Sequence, residues 1–381
     1  MTEDPNNAEG GLGPWDHAPV GSTLGKARAA MLRGDFAAAL EAFQSASDAD
    51  EGDGSAAFGV ASASFFLGAW DDAERWFLLA KRLDPTFQVT AGFRANDVTQ
   101  LQPAPSHDAL SPLEIRPAAN DPERPMVLVA CDEAYCRYYA LPLLLSLASL
   151  APGWGAHLHI VDPNAQSIET VEALAKATPG LALSLSWEFA GLDALPQALV
   201  KPYLASARFL RLPALLDALA LKVPLVILDA DALINRDPAS LLSGARDAFG
   251  AQNGWDWALH ETGYFGHGPL MHHWAACVGI APGQRAKQAA DHLAAVLQRA
   301  FAEQTGHWMI DQFALLVAMR AAQENIQGFQ LHPWPETVFR PDRSDPEMAV
   351  WSFGAARKKT DPVFREAALK WFTQLGGAPT A

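Results

Sequence analysis

Cysteine is scarce in this 381-residue chain: Cys131, Cys136 and Cys277 are all it has. Three thiols make neither a paired framework nor a Cys-x-x-Cys motif, which excludes a disulfide-stapled secreted fold and a cysteine-based metal cluster. Each reads as a small core residue in a reducing compartment. Positive charge is also in short supply, with 28 Lys and Arg against 43 Asp and Glu and a formal net charge of −15. That balance argues against general affinity for nucleic acid or anionic membranes and favours a small-molecule partner. No apolar run is long enough to span a bilayer; the nearest, Leu141 to Leu150, is too short. The opening MTEDPNNAEGG is acidic and polar, unlike a secretory signal. A soluble, cytoplasmic protein is the expectation. No Gly-rich loop follows the first strand of the α/β region and no GxSxG elbow is present, so a dinucleotide fingerprint, a P-loop and a serine hydrolase are all disfavoured.

What is present is apolar mass, half of the residues, enough for two domains or for one large domain with an appendage. Residues 1–20 are rich in Gly, Pro, Asn and Asp and are expected to be disordered. From Lys26 a helical pattern repeats at an offset of 34 residues: Leu32 matches Phe66, Gly34 matches Gly68, Phe36 matches Trp70, Ala39 matches Ala73, and Phe43 matches Phe77. Helix, turn at glycine, helix is the unit. With its small residues and closing Pro85, segment 21–101 resembles tetratricopeptide repeats. Two units are fewer than usually stand alone, so Phe87 to Leu101 is expected to add a capping helix, or the array to lean on the next domain. Such an array either holds a partner protein or serves packing and dimerisation. Segment 102–125 contains Pro103, Pro105, Pro112, Pro117, Pro122 and Pro125 and reads as a linker.

From Met126 to Ala381 strand and helix patterns alternate. Strands are expected at Met126–Cys131, His157–Val161 and Ala182–Glu188, with helices at Tyr139–Leu150, Glu169–Ala177 and Ala205–Leu221. The fold class is therefore α/β: a Rossmann-like, mostly parallel sheet flanked by helices, preceded by a small all-α domain.

The chemistry concentrates in PLVILDADALINRD, Pro224 to Asp237. An apolar strand ends in Asp229-Ala230-Asp231, at the end of the strand where open α/β sheets bind ligands. If extended geometry persists through Ala230, both carboxylates project to one side. Paired carboxylates suit Mg²⁺ or Mn²⁺, which take oxygen ligands and share their shell with substrate phosphates. The plainer alternative is strand-end capping, the role expected of Asp237 before Pro238.

Four segments in this order resemble nucleotide-sugar glycosyltransferases of the GT-A fold, and are similar to family 8, over Met126 to Lys359. They are ACDEAY from Ala130, SARFLRLPALL from Ser206, LDADAL from Leu228, and WMIDQFALL from Trp308. The resemblance implies that Ala130 and Asp132 lie at the uracil with Tyr135 stacked on it, and that Arg208 reaches the donor sugar or diphosphate. It implies that Asp229 touches ribose or metal, that Asp231 binds metal, and that Asp311 and Gln312 hold the donor sugar. The activity implied is metal-dependent transfer of a sugar from a UDP-sugar to a protein or glycan acceptor, with retention; a homo-oligomer is compatible with it. The chain departs from the family near its end. WSFGAAR places Trp351 where the family has a metal-ligating histidine, and Arg357, with Lys358 beside it, stands in a lysine position on the diphosphate. That departure favours, as the alternative, a degenerate glycosyltransferase-like binding or scaffold protein. His260, His267, His272 and His273 fit no standard metal spacing and read as solvated histidines of an acceptor-side loop.

Overall fold

The computed structural model describes residues 14–15, 17–87, 90, 92–104, 111–116, 123–178, 180–245, 254–262, 264–334, 348–352 and 362–374. Residues 1–13 and 16 of the segment expected to be disordered, and the diphosphate cations Arg357 and Lys358, lie outside the described residues; the rest of that segment departs from expectation, since Trp15 is fully buried against Phe43 and Phe58 and donates to Ser55 O.

Four helices open the chain: α1 (Thr23–Leu32), α2 (Phe36–Ala49), α3 (Gly54–Phe66) and α4 (Trp70–Leu83). Side-chain oxygens of Ser22, Asp35 and Asp53 accept backbone N–H groups at the starts of α1, α2 and α3. The repeat seen in the sequence is also a repeat of backbone geometry. Gly34 and Gly68 take φ values of 72° and 78°. At the first turn Gly34 N donates to Met31 O and Asp35 N to Ala30 O; at the second, Gly68 N donates to Phe65 O and Ala69 N to Ser64 O. This double closure needs a left-handed residue, which glycine supplies without strain. Of the two expectations for Phe87 to Leu101, the described residues show a four-residue helix, Asn96–Thr99, after the turn Pro85–Phe87, and the array leans on the next domain, with Phe93 packed on Phe313.

The sheet has the order β1-β4-β3-β2-β5-β8-β7-β9. Its strands are β1 (Leu113–Arg116), β2 (Met126–Cys131), β3 (Gly155–Val161), β4 (Ala182–Glu188), β5 (Leu225–Asp229), β7 (Trp257–Glu261), β8 (His273–Ile280) and β9 (Leu331–Pro333). A two-stranded ladder pairs β6 (Leu233–Ile234) with β10 (Val350–Trp351). Pairs β4–β3, β3–β2 and β2–β5 are parallel, whereas β1 and β8 run against their neighbours. The α/β class with a mostly parallel, helix-flanked sheet is thus as expected. Strand β1 lies inside the segment read as a linker, so Leu113–Arg116 is part of the sheet edge.

Period-two alternation sorts the sheet into two cores. Met126, Leu128, Ala130, Leu225 and Ile227 face the core that contains the amino-terminal helices; Val127, Val129, Cys131, Val226 and Leu228 face the core built on α5 (Leu141–Leu150). The first core is continuous across the junction between the helices and the sheet. Phe313 of α10 (Ile310–Asn325) packs against Phe65, Phe77 and Phe93, with ring centroids 6.1, 6.3 and 6.2 Å away. Burial of such rings is the main stabilising term there, about 1.5–3 kcal/mol for each full burial. Polar clamps reinforce the junction. Arg299 of α9 (Gln284–Ala302) donates to both carboxylate oxygens of buried Asp97, and His292 contacts the Asp97 carbonyl at 2.7 Å.

The helix expected over Ala205–Leu221 is two: α7 (Gln197–Leu210) and α8 (Leu212–Leu219), with α6 (Ala165–Ala177) preceding them in the chain. Pro213 lacks the N–H that a continuous helix needs, and the break places Arg211 in a buried cluster with Glu188 and Ser111. The cluster continues through His159 and His157 to Ser184 and Ser186. Burial alone would raise the Glu188 pKa, but bonds from His159 and Arg211 prevail and hold it at about 2.

Candidate active site

Strands β2 and β5 lie side by side with Ala130 opposite Asp229, so the carboxyl ends of both strands open at one place. Beyond β2, Asp132 accepts a 2.7 Å hydrogen bond from Tyr135 N and caps the turn Glu133–Tyr135. The capping fixes Tyr135 next to Tyr139, their rings 4.9 Å apart. The chain then widens through a π-helical turn, Cys136–Ala140, a feature often found at functional sites.

Beyond β5, extended geometry does not persist. The strand ends at Asp229, and Ala232 N donates back to Asp229 O at 3.0 Å. The same-side argument for the carboxylate pair is therefore replaced by a turn, which buries Asp231 to 6% exposure while the Asp229 side chain stays 32% exposed. Further on, Asp237 caps Ala239 N as expected.

Arg208 joins the parts. It sits in the last turn of α7, where the helix dipole favours a cation, and is 4% exposed. Its Nη1 lies 2.5 Å from Asp229 Oδ1, and its Nη2 lies 3.4 Å from Asp311 Oδ2 and 3.2 Å from the Ala275 carbonyl of β8. Asp217, the next acid along the chain after Arg208, pairs with Lys287.

Asp311 occupies the first turn of α10, accepting from Gln312 N at 2.9 Å. Burial pushes its pKa up to about 6, with Arg208 pulling down and Asp229 pushing up. The side-chain oxygen of Gln312 is buried with no hydrogen-bond partner among the described residues. An acceptor held dry in this way is costly unless a ligand donor meets it. Met309, just before α10, takes φ = 77°, a left-handed backbone for a non-glycine residue. Strain of this kind, of order 1–3 kcal/mol, clusters at functional sites. Trp308 beside it is 45% exposed. Sequence reasoning gave these two residues no role; an exposed tryptophan preceding the Asp-Gln pair was the available signal.

The structure thus gathers Arg208, Asp229 and Asp311 into one contact chain, with Gln312 following Asp311 and with Ala130 and Asp132 on the neighbouring strand end. Trp351, in the position suggested for a histidine, is 8% exposed and pairs with Leu233 in the β6–β10 ladder. The histidines depart from expectation: His260, His272 and His273 are buried, at 7, 7 and 2% exposure, at the ends of β7 and β8, with His272 against Phe66 of α3.

No helix among the described residues is long and apolar enough to cross a membrane. No protein-family model matches the chain, and no curated protein matches it. Among solved structures it is similar to mouse xyloside xylosyltransferase 1 in its apo form, with 12% identity over 62% of this chain and 98% of that one and a TM-score of 0.39. It is similar to the glycosyltransferase GlyE of Streptococcus pneumoniae TIGR4, with 15% identity over 68% of this chain and 65% of that one and a TM-score of 0.42. A further likeness is to the galactosyltransferase LgtC in complex with donor and acceptor sugar analogs, with 13% identity over 68% of this chain, 97% of that one and a TM-score of 0.44.

Proposed function

We propose that the chain is a GT-A glycosyltransferase that takes a sugar from a nucleotide-sugar donor, a UDP-sugar, to a protein or glycan acceptor with retention. The observation that carries this reading is the contact chain Asp229–Arg208–Asp311 at the carboxyl ends of β2 and β5. Three of the four segments that resemble one enzyme family in sequence supply its members, although more than 100 residues separate Arg208 from Asp311.

Each residue has a physical task. Asp132 and the half-buried Tyr135 hold the uracil, by hydrogen bonding and by stacking. Arg208 cannot lose its proton and is already desolvated, so it presents a fixed positive charge to the diphosphate or to the sugar ring as negative charge grows on the leaving group. Asp311, ionised above about pH 6, accepts hydrogen bonds from sugar hydroxyls, and Gln312 lies under the anomeric carbon with its unmet acceptor. Holding the donor in reactive geometry is the largest service such groups perform.

The donor set at the turn fits a divalent cation. Asp229 and Asp231 are hard oxygen donors one residue apart, and the partial exposure of Asp229 leaves its carboxylate reachable. Mn²⁺ or Mg²⁺ bound there would act as a Lewis acid and template for the diphosphate.

A second reading has one specific observation behind it. Trp351 is an indole buried in a strand where the family has a metal-ligating histidine, and an indole cannot ligate a cation. A chain that binds a sugar nucleotide without turning it over would tolerate that change.

The test is release of UDP from a panel of UDP-sugars with Mn²⁺, alongside calorimetric titration of UDP. One donor giving UDP above the enzyme-free rate is expected. Binding without release selects the second reading, and absence of both binding and release overturns the assignment.

A further inference from the structure

A second set of donors stands apart from the Asp229–Asp231 turn and does not rest on the glycosyltransferase reading. One ligand atom from each of Glu261, His272 and His273 can be chosen so that all three lie within 4.8 Å of one another. Three features of the backbone bring them together. The β7–β8 register slips between Leu259 and His260, after which Glu261 stands opposite His273. His272 takes a helical conformation (φ −70°, ψ −41°) where the short turn Gly268–Met271 meets β8. That places its ring 4.9 Å from that of its neighbour, tilted by 37°, instead of on the opposite face of the strand. Thr262 N donates to His272 O, closing the base of the hairpin between the two strands.

Both imidazoles are buried, and neither Nδ1 has a hydrogen-bond partner among the described residues. Two orphaned ring nitrogens side by side are an expense that a bound ligand would remove. Burial lowers the pKa of both rings, that of His272 to about 4 with help from Arg320, and that of His273 well below the ordinary imidazole value with help from His272 and Arg320. A neutral imidazole is the metal-binding form. Glu261 is exposed and supplies the opposing negative charge.

We propose that Glu261, His272 and His273 bind Zn²⁺ and that the ion clamps the base of the hairpin between β7 and β8. Two imidazole nitrogens and one carboxylate oxygen are a donor set that zinc takes with a fourth position left for water. Ligand atoms in a tetrahedral zinc shell stand roughly 3.4 Å apart, so the three groups must draw together. The exposed Glu261 side chain has the freedom to do so.

The hairpin is worth clamping because it docks the amino-terminal helices. Phe265 meets Phe36 and Phe66 edge to face, each at 5.1 Å, and stacks on His272 at 5.1 Å. Gly268, with φ = 60°, approaches α3 so closely that an added Cβ would lie 2.5 Å from Ser62 Oγ.

The experiment uses the full chain without a histidine tag, stripped of metal with chelator, and titrated with Co²⁺ (read by its visible absorption) and then with Zn²⁺. We expect one equivalent of Co²⁺ displaced by Zn²⁺, a rise in Tm on Zn²⁺ addition, and the same stoichiometry in Asp231→Asn. His272→Asn/His273→Asn should abolish the visible band. Glu261→Gln, at an exposed position that does not threaten folding, should weaken binding by at least about 10²-fold. No uptake by the wild-type chain, or uptake unchanged in Glu261→Gln, overturns the proposal. Donor binding with Mn²⁺, measured separately, reports on the other site, so failure of one reading is distinct from failure of the other.

Discussion

Arg208 lies 2.5 Å from Asp229 and is itself nearly inaccessible to solvent. Its guanidinium touches acids from two distant segments, β5 and α10. Arg208→Ala therefore leaves two carboxylates facing each other in a partly dry site. The expected cost is about 3–5 kcal/mol of stability, together with at least a 10²-fold loss of UDP release. Arg208→Lys keeps the charge but cannot span both acids and should recover stability more than rate. Denaturant unfolding and turnover, measured on both variants, check this.

Asp311 makes an opposite trade. Its folded pKa is raised to about 6, so the native state holds a proton that the unfolded chain releases near its ordinary value. That contribution is complete at low pH and is lost as pH rises through 6. Above it, the ionised buried carboxylate costs on the order of 3 kcal/mol. Asp311→Asn should raise Tm at pH 7.5, remove the pH dependence between about 4 and 6, and reduce turnover at least 10²-fold. A thermal melt series across pH is the check.

The buried histidines carry the other sign. His157, between Ser184 and Ser186, is lowered to about 3 by burial and by His159, and His272 to about 4. Each stays neutral when folded but takes a proton once unfolded below about pH 6.5, so stability present above that pH falls as acid is added. His157→Gln should flatten part of the decline between pH 6.5 and about 3, measured by urea midpoints in a pH series.

Metal dependence should reside in the β5 turn. Asp231→Asn should abolish the Mn²⁺ enhancement of UDP binding and leave the global fold intact, since the change is isosteric. Calorimetry with and without EDTA decides it; Mn²⁺ enhancement that survives in the variant would place the ion elsewhere.

Much of this was legible in the sequence because it is written in short-range periodicities. The apolar run at Met126–Cys131 and the alternating pattern at Ala182–Glu188 form strands over those residues, and the 34-residue repeat marks two turns closed by the same backbone hydrogen bonds. What was not legible depends on contacts far apart in the chain. Arg211 alone does not announce Glu188, and the single helix expected over Ala205–Leu221 divides where that pairing and Pro213 coincide. Leu113–Arg116 looked like a spacer among prolines, yet its alternating burial makes it an edge strand. His272 looked solvated because nothing local reveals that Phe66 and Phe265 cover it.

Phe313 and Asp311 share the first turns of one helix, and Phe313 is seated among rings from α3, α4 and the segment after them. Natural selection therefore cannot shuffle the two parts of this chain as separate cassettes. Lineages that keep the acid should inherit the aromatic socket with it, and a relative that has shed the leading hairpins should show compensating bulk around the equivalent of Phe313.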